Sequence, residues 1–91
     1  MGRAKYGEFF TFSQGCTAGE NKGIYPQMGN FVKMMSNSKI IGSSIIGNNC
    51  IIAANTYIKD AVIPDNTIVF NDGNKLILKE NKNDNQKDWI L

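Results

Sequence analysis

The chain contains no histidine. That absence removes histidine-ligated metal sites, and it removes the side chain most often used as a general base near neutral pH. No metal site is expected. No apolar run is longer than a few residues, too short for a membrane-spanning helix of about 20 residues. Charge of one sign is also missing as a block: the formal net charge is +2, with the lysines scattered. A nucleic-acid partner would call for a basic patch or stripe, and none is written here. The first residues, Met1-Gly2-Arg3-Ala4-Lys5, lack the apolar core of a signal peptide, which favours a cytoplasmic location.

What is present is a register of six. Counting in sixes from Met28, the first residues of successive blocks are Met28, Met34, Ile40, Ile46, Ile52, Ile58, Pro64 and Phe70. The fifth residues are Val32, Ser38, Ser44, Cys50, Thr56, Val62 and Ile68. One column is large and apolar apart from the proline, and the other is small or β-branched. A helix repeats every 3.6 residues and a strand every 2, and neither holds a register of six over this length. A solenoid does, with each block forming one short strand and one bend and every third block returning to the same face. A β-sandwich of short alternating strands is the competing architecture, and the recurrence of small residues at the fifth position sets it aside.

The register extends back through Tyr6, Phe12 and Ala18 at the large position, with Phe10 and Cys16 at the fifth. From Ala18 to Met28 the spacing is ten instead of six. The extra residues fall in Asn21-Lys22-Gly23-Ile24-Tyr25-Pro26-Gln27, a segment with turn residues at both ends, so a loop is pushed out of one coil. Asn30, Asn37, Asn48-Asn49, Asn55 and Asn66, with Gly42 and Gly47, suit corners that need left-handed backbone angles. Lys59 to Asn66 reads as a closing bend, with Pro64 holding Ile63 extended. Asn71-Asp72-Gly73-Asn74 is a turn cluster, and Lys75 to Lys79 forms one further strand with Leu76 and Leu78 on one side. Glu80 to Asp88 is polar and reads as a mobile tail. Trp89-Ile90-Leu91 offers a terminal apolar hook, for a neighbouring subunit or the solenoid end. The expected organisation is a repeat domain over residues 6–73, followed by a strand and polar tail over 74–91.

Cys16 and Cys50 both stand in the small column, as small buried hydrophobes. Counting blocks puts them on different faces, which disfavours a disulfide. About three coils in 91 residues leave long apolar flanks, so self-association is expected. Phe9 and Phe31 at the fourth place of their blocks, with Tyr57 and Val69 at the sixth, count as outward apolar residues that a trimer would bury. Polar residues 80–88 beside the last coil are suited to blocking end-to-end stacking.

Gln14-Gly15-Cys16-Thr17-Ala18-Gly19, a loop with Lys22, and Gly29-Asn30-Phe31-Val32 follow one another in that order. Met34-Met35-Ser36-Asn37-Ser38-Lys39-Ile40-Ile41-Gly42, Ile52-Ala53-Ala54-Asn55-Thr56 and Ile63-Pro64-Asp65-Asn66-Thr67 continue the pattern. Together these segments resemble the serine acetyltransferase-like hexapeptide-repeat acyltransferases, over about residues 6 to 70. The resemblance implies an all-β chain folded as a left-handed parallel β-helix of about three coils, with one extruded loop and a C-terminal tail. It further implies a homotrimer, acetyl-coenzyme A as donor substrate in a groove between subunits, and a small-molecule hydroxyl as acceptor. Carried over residue by residue, Ser36 and Ala54 take the positions whose backbone meets the pantetheine arm. Gly19 takes the glycine before the loop, and Lys22 the loop lysine.

The departures from that family bear on chemistry. Its catalytic histidine lies in a coil upstream of anything matched, so the chain reads as shortened at its N-terminus, and no catalytic residue is assigned. A second histidine, beside the loop proline, is replaced by Tyr25 before Pro26. The Val-Pro-Ala stretch that usually follows the last coil is replaced by Asn71-Asp72-Gly73. The expectation is therefore an acetyl-coenzyme A-dependent O-acyltransferase-type domain whose activity alone is in question. The second reading is a non-catalytic trimeric β-helix that assembles or binds a ligand.

Overall fold

A block of six that must turn through a corner has few residues left for strand, and most strands of the repeat are two or three residues long. The computed structural model describes residue 2, residues 4–82 and residue 85. Its strands are β1 (Thr11–Phe12), β2 (Thr17–Gly19), β3 (Gln27–Met28), β4 (Lys33–Met34), β5 (Lys39–Ile41) and β6 (Ile45–Ile46). There follow β7 (Ile51–Ile52), β8 (Tyr57–Lys59), β9 (Val62–Ile63), β10 (Thr67–Asp72) and β11 (Lys75–Glu80). Every third strand returns to the same sheet, giving the orders β1-β4-β7-β10-β11, β2-β5-β8 and β3-β6-β9. All pairings are parallel except β10 with β11. The chain is thus an all-β solenoid of about three turns with three faces, as the register of six requires. Among the described residues no helix is long and apolar enough to cross a membrane.

The core is a stack of the large column. Met28, Met34, Ile40, Ile46, Ile52 and Ile58 are buried, with Val32, Ser38, Ser44, Cys50 and Thr56 buried beside them. Serine is tolerated there because its hydroxyl bonds the carbonyl three residues back. Ser38 Oγ donates to Met35 O at 2.8 Å and Ser44 Oγ to Ile41 O at 2.9 Å, which offsets the cost of burying a hydroxyl. Cys16 and Cys50 are free thiols. Burial pushes the Cys50 thiol above its ordinary range.

After Ile58 the register slips by one. The buried large residues are Ile63 and Val69, not Pro64 and Phe70, and the buried small residue is Thr67, not Ile68. Ala61, packed against the core, replaces Val62, which is 71% exposed. The pairings locate the slip. Ile40 still faces Ile58, eighteen residues on, whereas Ile46 faces Ile63, only seventeen on. The block begun by Ile58 therefore has five residues, one being lost between Asp60 and Ala61. Lys59 to Asn66 consequently holds strand β9 and is not a closing bend. Val69 is core, not surface, and Ile68 takes the outward place beside it.

Corners follow the expectation in part. Asn37, Asn49, Asn55 and Asn66 have φ of 61, 58, 62 and 56°, and Gly42 has φ of 74°. Asn30 and Asn48 are not left-handed; they form a side-chain ladder along one corner instead. The Glu8 N–H donates to Asn30 Oδ1 (2.9 Å), Asn30 N–H to Asn48 Oδ1 (2.7 Å) and Asn48 N–H to Asp65 Oδ1 (2.7 Å). That ladder explains Gly29 and Gly47, where a Cβ would collide with the side-chain oxygens of Asn48 and Asp65 and the backbone beside them. Phe9 and Phe31 lie at the same corner rather than on a face, with φ of 55 and 58° and rings stacked 5.0 Å apart.

The C-terminal end closes by a hairpin. Residues 67–72 pair antiparallel with 75–80 through a two-residue turn that includes Gly73 (φ 63°). Leu76 packs against the core, and Leu78 faces buried Val69 in the pairing. The tail beyond differs from the mobile segment expected at Glu80 to Asp88, since Asn81 and Asn85 are buried. Both are held by hydrogen bonds to the coils, described below. Trp89-Ile90-Leu91 lies outside the described residues.

Candidate functional site

The four residues singled out from sequence fall on two corners that flank the β2-β5-β8 sheet. Ser36 follows β4 and Ala54 follows β7, and the pairing of Met34 with Ile52 sets them one coil apart in a single column. The axial ladder at this corner runs through their carbonyl side and their neighbours' amides. Asn37 N–H donates to Gln14 O at 3.1 Å, and Asn55 N–H to Ser36 O at 3.0 Å. The amides of Ser36 and Ala54 are not the donors in that ladder. Ala54 is exposed and Ser36 half-buried, so the column presents small side chains and backbone to the outside. Hairpin β10–β11 continues straight where the earlier coils turn. Asn71, at its tip, holds the edge of the last coil by accepting from Tyr57 N–H at 2.6 Å.

Gly19 and Lys22 belong to the other corner, where β2 hands over to the extruded loop. The Gly19 carbonyl accepts from Gly42 N–H at 3.0 Å, tying the loop's root to the next coil. Asn21 and Ile24 close the loop by exchanging N–H···O bonds of 2.8 and 3.1 Å, with left-handed Lys22 (φ 54°) and Gly23 (φ 81°) between them. Pro26 is fully buried, and its carbonyl accepts from Lys5 N–H at 2.9 Å, which re-enters the chain into the repeat. Lys22 and Tyr25 are exposed on this loop.

Asp60 joins that second corner, and sequence reasoning passed over it. Its Oδ1 accepts from Ser43 N–H at 2.8 Å and from Ser43 Oγ–H at 3.1 Å. The Ser43 amide, then the Ser43 hydroxyl and the charges of Lys59 and Lys22, hold this carboxyl below its usual range. The missing residue after Asp60 was the available signal, because the side chain now bonds the amide of the coil beside it. Gly19, Lys22, Ser43 and Asp60 thus gather at one corner, and Ser36 and Ala54 at another, within one subunit.

Chemically, the first corner offers a strip of small residues to an extended ligand, and the second a cation-bearing loop over a carboxylate already engaged by hydrogen bonds. Against curated proteins and against solved structures, the chain finds no match. Residues 25–60, from the end of the loop through β8, match the model of the family described as bacterial transferase hexapeptide (six repeats), a similarity that covers the middle of this solenoid.

Proposed function

We propose that this chain is an acyltransferase-type β-solenoid that binds acetyl-coenzyme A as a homotrimer, with a small-molecule hydroxyl as acceptor. The observation that carries the reading is the exposed column at Ser36 and Ala54, inside the stretch that matches the transferase repeat. Small residues stacked one coil apart let an extended pantetheine arm approach the backbone. In the trimer, two corners from neighbouring subunits line one groove, so Ser36 and Ala54 of one subunit face Gly19 and the Lys22 loop of another. Outward apolar residues support association: Ile45 and Val62 are adjacent on the β3-β6-β9 face, 46% and 71% exposed.

Transfer requires the acceptor oxygen to attack the thioester carbonyl, breaking the C–S bond while the hydroxyl proton leaves to a base. A hydroxyl is a weak nucleophile without such a base, whose contribution is typically about 10²–10⁴-fold. Around the Ser36 and Ala54 column the side chains are Gln14, Met35, Asn37 and Asn55, none of which titrates near neutrality. That composition favours a second reading, in which the trimer binds the donor, or only assembles, without catalysing transfer.

Two measurements separate these. Light scattering at micromolar concentration is expected to give about three times the 10.1 kDa chain mass, unaffected by reducing agent; a stable monomer removes the shared groove. Titration calorimetry with coenzyme A is expected to show binding that Ala54→Trp abolishes by filling the column, and unchanged affinity in that variant removes the binding mode. Acetyl transfer to serine or sugar acceptors then divides enzyme from binder.

A further inference from the structure

Strand β11 (Lys75–Glu80) is six residues long and ends its sheet, with no strand beyond it in the order β1-β4-β7-β10-β11. The pairing shows which of its peptide groups are left on the outer edge. Val69 O accepts from Ala53 N–H at 2.9 Å, so the peptide groups of Val69 point to β7, and those of Ile68 and Phe70 point to β11. Ile68 stands opposite Lys79, and Phe70 opposite Ile77. Lys79 and Ile77 therefore turn their N–H and C=O toward β10, and Leu76, Leu78 and Glu80 turn theirs outward. The Asn81 N–H keeps the alternation by donating to Asn66 O at 2.7 Å.

The tail is held on the other side of β11. Asn81 Nδ2 donates to Asn49 O at 3.0 Å, and the Asn85 N–H donates to Asn49 Oδ1 at 2.7 Å. Asn85 Nδ2 reaches Cys50 O at 3.1 Å and Phe31 O at 2.8 Å. These bonds fix Asn81 and Asn85 to a corner of the earlier coils, whereas the outer edge of β11 faces away from the coils.

Strands β8 and β9 are the last of their own sheets, so β11 stands past them as a single wall. Leu78 is opposite buried Val69 and shares its face, yet it is 42% exposed. Leu76, on the same face, packs against the core. Lys75, Ile77 and Lys79 take the other face. Both lysines are exposed, and Lys79 Nζ lies 5.6 Å from the centre of the Phe70 ring, which keeps it on that side.

We propose that the outer edge of β11 takes up an extended segment of another protein, apolar at alternate residues and acidic between them. Such a strand bonds the free groups of Leu76, Leu78 and Glu80, and main-chain bonds of this kind carry strand addition at a sheet edge. Its apolar side chains fall beside Leu76 and Leu78 in the step left by β8 and β9. Its acidic side chains fall opposite Lys75 and Lys79 on the other face, where opposite charges across strands attract. The same lysines disfavour a second copy of the chain. A two-fold pairing centred on Ile77 sets Lys75 opposite Lys79, and one centred on Leu78 sets each Lys79 diagonal to both lysines of the copy. Lysines on an edge strand are a known guard against self-pairing. This inference does not depend on donor binding.

Two capped seven-residue peptides test it with the isotope-labelled full chain, one alternating valine with glutamate and the other valine with lysine. In the free protein the amides of Leu76, Leu78 and Glu80 are expected to exchange rapidly with solvent. The glutamate peptide is expected to shift these three resonances and slow their exchange, and the lysine peptide to bind at least several-fold more weakly. Joint replacement Lys75→Glu and Lys79→Glu should reverse that order. Leu78→Pro removes an outward N–H without removing a bond to β10, and it should weaken the glutamate peptide several-fold. Equal binding of the two peptides, shifts confined to other residues, or no binding at millimolar peptide overturns the proposal. So does slow exchange of the three amides in the free protein, which means that the chain covers its own edge. Slow exchange that appears only as protein concentration rises assigns the edge to a second copy and overturns it as well. Should Leu78→Pro fail to fold, the lysine replacements decide, and an unchanged order of the two peptides there rejects the acidic partner.

Discussion

At the N-terminal end of the solenoid the core column runs out in aromatic rings, whereas at the C-terminal end it runs out beneath a hairpin. Tyr6, Phe10 and Phe12 fill the first coil, with ring centroids 4.8 Å apart for Tyr6–Phe10 and 5.9 Å for Phe10–Phe12. Gly2 N–H donates to Ala18 O at 2.7 Å, and Tyr6 Oη donates to Gly2 O at 3.1 Å, so Gly2 is tied to the first coil. Phe12 is 54% exposed although its pairing partner Met34 is buried. At the other end β11 pairs along all six residues of β10, and Asn81 and Asn85 satisfy carbonyls of the corner. The same column position therefore gives a core residue or a half-exposed ring according to what lies one coil beyond it.

The largest expected effect tests that contrast directly. Ile52→Ala, in the middle of the stack, should cost about 2–5 kcal/mol, because the closed section has no room to collapse. Phe12→Ala removes a larger side chain but one that is already half in water, and about 1 kcal/mol is expected. Equilibrium denaturation measures both, and equal costs would mean that the first coil is as well covered as the third. Next comes the C-terminal closure. Asn85→Ala leaves the Phe31 and Cys50 carbonyls without their side-chain donor, for about 1–3 kcal/mol. A change near zero would show that water replaces the amide there.

Small-column positions sharpen the comparison further. Cys50 is fully buried between coils, and Cys16, at the fifth place of a first-coil block but on a different corner, is half-buried. Cys50→Leu is expected to destabilise by about 1–3 kcal/mol through overpacking. Cys16→Leu, with open space toward the end, should shift the melting temperature much less. Equal losses would contradict the difference in cover between the two coils.

From Met28 to Ile58 the fold was legible, because each block places one large and one small residue and nothing else in the chain competes with that register. Beyond Ile58 it was not. One lost residue moves every following side chain by one place, yet Pro64, Phe70, Val62 and Ile68 are apolar enough to imitate the old columns. The imitation had a flaw in plain view: a proline in the large column and β-branched bulk in the small one. Of the candidate site, the stacking of Ser36 on Ala54 was legible, since eighteen residues make one coil. The Asp60–Ser43 pair was not, because it exists only through the shortened block. Asn81 and Asn85 were hidden for another reason. Polar composition argues against burial, and their burial depends on side-chain amides standing in for backbone donors at a corner.

The shortened block supplies the smallest test. The coil before it turns through Gly42 and Ser43, and the last coil turns through Asp60 alone, whose carboxylate bonds Ser43 instead. The Ser43 amide is the main reason that this carboxyl is held low, with the Ser43 hydroxyl, Lys59 and Lys22 acting in the same direction. A carboxyl depressed on folding stabilises the native state above its unfolded value of about 4, and that contribution is lost as pH falls through the lower folded value. Asp60→Asn retains an acceptor oxygen but not the charge. Wild type is therefore expected to melt slightly above Asp60→Asn at neutral pH, and the gap should close in the acid range as the wild-type carboxyl takes up its proton. Asp60 is fully exposed, so the gap is small, and salt should shrink it further by screening the two lysines. A gap that persists unchanged into acid would assign the stabilisation to the shape of the side chain, and the last coil would then turn on its hydrogen bonds alone.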